Sequence, residues 1–159
     1  MVESRPGGAA LRLVCFELRG QELAFPIGEV RETLPIQPIT RVVLTPPALA
    51  GVFSLRGDIV PAIDLAVLIG LGPTEVSDDS RIVVVEHEGA TIGIVVDRLR
   101  DLRTLQEPLE PPPPNLAPEV ARLLAGVAAT ETGTVRVLDA HSIIEADPLR
   151  ALAGNESRT

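Results

Sequence analysis

Short apolar runs broken by glycine turns recur along this chain, and their spacing predicts paired β-strands. Residues 12–18 and 21–27 are apolar on either side of Arg19-Gly20, the pattern of an opening hairpin. Val30 to Ile36 predicts a third strand, whose end Pro35 and Pro38 confine to a sheet edge or a loop. Gly51–Leu55 and Ile59–Ile63 flank a compact Arg56-Gly57-Asp58 turn and predict a second hairpin. Ile82–Val85 and Ile92–Val96 are continuously apolar, which predicts a hairpin buried on both faces. Leu99–Leu105 alternates as an edge strand does, and Gly126–Thr130 with Thr134–Leu138 predicts a last hairpin about Thr132-Gly133.

Between these runs only brief helices are expected. Pro46–Leu49 offers at most one helical turn. Asp64 is placed to cap a short helix carrying Leu65, Leu68 and Ile69, and Asp139 to cap another with Ile143 and Ile144. Pro118 opens a helix in which Val120, Leu123 and Leu124 fall at i, i+3 and i+4. Gly70–Ser80 reads as a polar connector and Pro111–Pro114 as an extended spacer. Many short strands with tight turns imply a mainly β protein of two small closed barrels rather than a layered α/β sheet. No strong sequence repeat relates the two halves.

Composition narrows the chemistry. Hydrophobic residues make up 45% of 159, enough for a sizeable interior, but with three Phe and no Trp or Tyr that interior must be aliphatic. The fourteen basic residues are all Arg, against 22 acids, and the net charge of −8 argues against nucleic acid, whose phosphates demand a basic face. Residues 75–159 hold 15 of the acids and 8 of the Arg, so a solvated acidic face is expected there. Cys15 lies in an apolar run and reads as a buried structural thiol. No stretch approaches the roughly 18 apolar residues of a membrane span, and the start has no signal-peptide core, so a soluble cytoplasmic protein is expected.

Candidate chemistry converges on Arg56. A guanidinium with five donors at the tip of a greasy hairpin must be tied to backbone carbonyls at the turn or presented to a partner. His87 in a hairpin loop and His141 at a helix start are scattered, without ligand spacing, and predict no metal site. Asp64 and Asp97 have no nucleophile or base nearby in sequence, so a small hydrolase using either carboxylate is a remote reading, and no cofactor is expected.

The run Gly51-Val52-Phe53-Ser54-Leu55-Arg56-Gly57-Asp58-Ile59-Val60-Pro61-Ala62-Ile63-Asp64-Leu65 resembles the signature of the CheW family of chemotaxis coupling proteins, with Ser54 where the family usually has Asn. Val30-Arg31-Glu32, Gly93–Asp97, Gly126-Val127 and Val137–Asp139 are also similar to the family's pattern. The resemblance covers residues 12–147 and implies two SH3-like five-stranded barrels packed together, with a few short helices and an apolar groove between the barrels. Residues 1–11 and 148–159 would then be flexible tails. It implies a non-catalytic adaptor that grips the cytoplasmic tip of a methyl-accepting chemotaxis receptor and the regulatory domain of a CheA-type histidine kinase. Other CheW-like domains are further possible partners, and the protein would be recruited to membrane-associated receptor arrays. By position, Arg56, Gly57, Leu55, Gly51, Val30 and Glu32 would form the partner-binding set. A scaffold of a non-flagellar chemosensory pathway, or one that fills array sites without coupling the kinase, is the neighbouring alternative.

Overall fold

Ten strands and three one-turn helices account for most of the described residues. The computed structural model describes residues 10–131 and 133–146. In chain order the strands are β1 (Leu11–Leu18), β2 (Gln21–Pro26), β3 (Val30–Pro35), β4 (Leu49–Leu55), β5 (Asp58–Asp64), β6 (Arg81–His87), β7 (Ala90–Val96), β8 (Arg98–Leu105), β9 (Leu124–Thr130) and β10 (Gly133–Leu138). Helices α1 (Leu65–Leu68), α2 (Pro118–Ala121) and α3 (Ala140–Ile144) follow β5, precede β9 and follow β10. The four expected hairpins and the edge strand β8 are all present. The expected tails fall almost wholly outside the described residues, except that Leu11 already opens β1.

Two five-stranded sheets form, in the orders β8-β1-β2-β10-β9 and β3-β6-β7-β5-β4. Both share one plan: two antiparallel hairpins joined through a parallel pair, β2 with β10 in one and β5 with β7 in the other. Each sheet then curls until its edges meet. The segment after β3 bridges to β4 at Thr40 and Val52, and the segment after β8 bridges to β9 at Glu110 and Val127. These contacts turn each sheet into a nearly closed barrel, which limits the exposed strand edge that would otherwise invite aggregation. The first barrel takes β1, β2 and β8–β10; the second, β3–β7, is inserted whole between its two parts.

Strand alternation explains the continuous apolar runs. Leu13, Cys15, Ala24, Val135 and Val137 fill the first barrel, and Phe53, Val60, Ala62, Ile82, Val84 and Val95 fill the second. The intervening positions, among them Phe16, Leu23, Phe25, Val83, Val85, Ile92 and Ile94, point the other way into a third and larger core between the barrels. Phe16 and Phe25 stack at its centre, 5.8 Å between ring centroids. The central strands of β1, β2, β6 and β7 are therefore buried on both faces. Among the described residues, the space where an apolar groove was expected is filled by this shared core, and only its rim, with residues such as Val30, Leu68 and Leu99, is half-buried.

Helix ends follow local chemistry. Asp64 accepts the Val67 N–H and also binds Thr74 through its N–H (3.0 Å) and hydroxyl (2.7 Å), which ties the connector down; Asp139 caps α3 at His141 N (3.0 Å). The helix expected to run from Pro118 through Leu124 is shorter. It stops at Ala121, because Leu124 is needed as the first residue of β9 and Leu123 O accepts the Asp139 N–H.

Cys15 sits at the first barrel's core beside the Glu22–Arg103 pair (Arg103 Nε to Glu22 Oε2, 3.0 Å). Burial first, and the Glu22 charge second, push its thiol up to about 11, against the opposing pull of Arg103. At pH 8 only about one molecule in a thousand would carry the reactive thiolate. Alkylation of the native protein is expected to run at least ~100-fold slower than in guanidinium chloride; comparable rates in the two would mean the first barrel opens readily.

Candidate functional site

The β4–β5 hairpin turns on two residues. Arg56 (φ 51°) and Gly57 (φ 90°) both take left-handed backbone, the type I′ arrangement that follows the twist of the flanking strands. The turn is thus Arg-Gly, with Asp58 already in β5. A Cβ on Gly57 would meet nothing within 4 Å, so glycine serves there for backbone conformation alone. Leu55 is half-buried against the second barrel's core and anchors the tip.

Arg56 does not bond the turn carbonyls. Its two terminal nitrogens donate to the two Glu32 carboxylate oxygens, each at 2.6 Å, a parallel fork. Glu32 lies on β3 and Arg56 at the end of β4, the two edges of the same sheet. The pair therefore latches the barrel seam at the hairpin tip, as the Thr40–Val52 bridge does further along. Arg56 holds the Glu32 carboxyl below its ordinary 4.5. The latch accordingly persists as pH falls to that value and opens only when pH passes below the lowered one. The Arg56 side chain remains 63% exposed and the Glu32 side chain 22%. The guanidinium is held, yet its other N–H donors stay available to solvent or a partner.

Around this latch lies a hollow of about 330 Å³, lined in part by Arg31, Leu55, Asp58, Ile59 and Thr91. Ile59 is 68% exposed and gives the hairpin face an apolar patch beside the charge. Val30 faces elsewhere. A bulge between Val30 and Glu32 shifts the pairing with β6, so Val30 packs on the shared core while Leu34 packs on the second barrel. Of the six candidate residues, Arg56, Glu32, Gly57 and Leu55 are brought together, and Val30 stands apart at the core rim.

Gly51 has an internal role. Its φ is 150°, and a Cβ there would lie 2.2 Å from Thr40 O, inside the seam contact that closes the barrel. Gly126 holds the matching place in the first barrel, where a Cβ would meet Glu110 O at 2.8 Å. No strong sequence repeat relates the halves, as expected, but a short one underlies this correspondence. Leu49-Ala50-Gly51-Val52 recurs as Leu124-Ala125-Gly126-Val127, with Asp64 and Asp139 following at the same spacing. At the tip position of Arg56 the first barrel carries Glu131. The repeat was visible in the letters but is short and separated by a long unlike stretch.

The alternative catalytic carboxylates are occupied. Asp64 is the α1 cap described above, and Asp97 Oδ2 accepts the Arg19 N–H at 2.7 Å at the turn of the first hairpin. Both carboxylates are thus engaged in hydrogen bonds that hold turns and a helix end in place.

A family model described as CheW-like domain matches residues 12–147. The chain is 31% identical over 138 residues to the chemotaxis protein CheW of Helicobacter pylori, covering 86% of this chain and 83% of that protein. It is 26% identical over 135 residues to the chemotaxis protein CheW of Bacillus subtilis, covering 84% and 86%. The crystal structure of the scaffolding protein TtCheW from Thermoanaerobacter tengcongensis matches with a TM-score of 0.78 at 31% identity, over 87% of this chain and 90% of that one.

Proposed function

The chain belongs to the CheW-like family of chemotaxis coupling adaptors, and we propose that it joins the cytoplasmic tip of a methyl-accepting receptor to the regulatory domain of a CheA-type histidine kinase, catalysing no reaction itself. The observation that carries this reading is the family match across residues 12–147, both barrels included. Two barrels locked by one shared core form a rigid spacer, and a rigid spacer holds two partners at fixed separation. Each contact can be weak, because an array presents many copies at high effective concentration. The hairpin face with the Arg56–Glu32 latch and Ile59 is the docking surface we assign to one partner. The protein acts in the cytoplasm, recruited to membrane-associated arrays through that contact.

Reconstitution tests this directly. Receptor-bearing membranes and a CheA-type kinase from one organism, mixed with this chain, are expected to sediment all three proteins together and to raise kinase autophosphorylation above the level without it. Sedimentation of the chain with receptor but not kinase would instead make it an occupant of array sites that does not couple. Binding to neither would overturn the proposal.

A further inference from the structure

Two histidines far apart in sequence meet at the joint between the barrels. His87 ends β6 at the Glu88-Gly89 turn, and His141 lies in α3, which packs on β6. Their rings stand 4.8 Å apart, centroid to centroid, tilted by 56°. Glu88 reaches back, with 3.7 Å between its Oε2 and His87 Nε2. One potential ligand atom from each of His87, Glu88 and His141 falls within 4.8 Å of the others, the one such trio among the described residues. Sequence spacing predicted no metal site at either histidine, because the fold alone brings them together.

We propose that His87, Glu88 and His141 form a site for a divalent transition-metal ion of zinc type, clasping the β6–β7 turn of the second barrel to the helix that follows the first. Two imidazoles and one carboxylate are a donor set that suits zinc, whereas magnesium and calcium prefer all-oxygen shells. Tetrahedral zinc with bonds of about 2.0–2.1 Å sets its ligands about 3.4 Å apart. The trio must draw in by up to about 1.4 Å, which side-chain rotation can supply because Glu88 and His141 are exposed. His87, the less exposed of the three, is the anchor.

The surroundings favour a cation. Glu29, in the short turn between β2 and β3, accepts the Ala140 N–H at 3.1 Å and so fixes the first turn of α3 beneath His141. Its carboxylate and that of Asp139 add negative charge near the imidazoles; Asp139 itself is engaged with His141 N and Ser142 Oγ. Three protein ligands leave one position for water or for a side chain brought by a docking partner. The inference does not depend on the adaptor reading, since it concerns only this chain and an ion.

Isothermal titration of the untagged 159-residue chain with zinc chloride is expected to show one ion bound per chain. Magnesium chloride under the same conditions should give no saturable heat. His141→Ala is expected to weaken zinc binding more than tenfold while leaving the metal-free unfolding midpoint unchanged. His87→Ala should weaken it similarly, and if that variant is poorly folded the exposed His141 carries the test. Absence of saturable zinc binding, equal binding of magnesium, or zinc binding untouched by His141→Ala would each overturn the site.

Discussion

Gly51→Ala is expected to cost about 3 kcal/mol or more of folding stability, lowering the unfolding midpoint by about 10 °C. Two independent penalties act at this position. The backbone at φ 150° is poorly open to a residue with a side chain, and the new methyl would sit 2.2 Å from the Thr40 carbonyl oxygen. Neither neighbour can yield easily, because Thr40 and Val52 exchange two backbone hydrogen bonds of 2.8 Å that close the second barrel. Gly57→Ala provides the control: its turn needs left-handed backbone too, but the space around it is open, so the cost is only about 1–2 kcal/mol. Urea unfolding of the two variants, read by the shift in midpoint at unchanged slope, separates clash from conformation. A Gly51 variant as stable as the Gly57 variant would mean that the seam opens without penalty.

The largest functional effect is expected at Arg56. Arg56→Glu should leave the thermal midpoint within a few degrees, since the latch is at the surface, and should abolish co-sedimentation with receptor membranes. The structure raises a sharper question than loss of charge alone, because Arg56 also holds Glu32. The double swap, Arg56→Glu with Glu32→Arg, rebuilds the fork with its polarity reversed. If Arg56 meets the partner, the swap restores nothing in sedimentation. Recovery of binding by the swap, or unfolding of the single variant, would instead make the arginine a seam fastener only.

Much of this organisation could be read along the chain, because hairpins, caps and edge strands are local. The Arg19-Gly20 turn, the Asp64 and Asp139 caps and the doubly buried Ile82–Val85 run each follow from a few neighbouring residues. What escaped depends on closure. The Arg56–Glu32 fork joins opposite edges of one sheet, and no spacing rule pairs a hairpin tip with a strand before that sheet is known to curl. The same is true of His87 and His141, which meet only once α3 lies on β6. The Pro118 helix was overextended for a different reason: Val120, Leu123 and Leu124 do lie on buried surface, but tertiary pairing claimed Leu124 for β9 and overrode helical spacing. The family pattern puts Gly51 in the partner-binding set, and the backbone that comes close to it in the structure is the protein's own, at Thr40.

The insertion of one barrel inside the other bears on how the molecule is made. As the chain leaves the ribosome, β1 and β2 emerge before their sheet neighbours β8 and β10, which follow the whole inserted barrel. The inserted barrel has all its strands available earlier and can assemble first, bringing the two ends of the outer one near each other. Such distant pairing raises contact order and places folding toward the millisecond-to-second range of β-rich domains. A nascent chain stalled before β8 would hold an unpaired apolar hairpin, the form in which chaperones would find it.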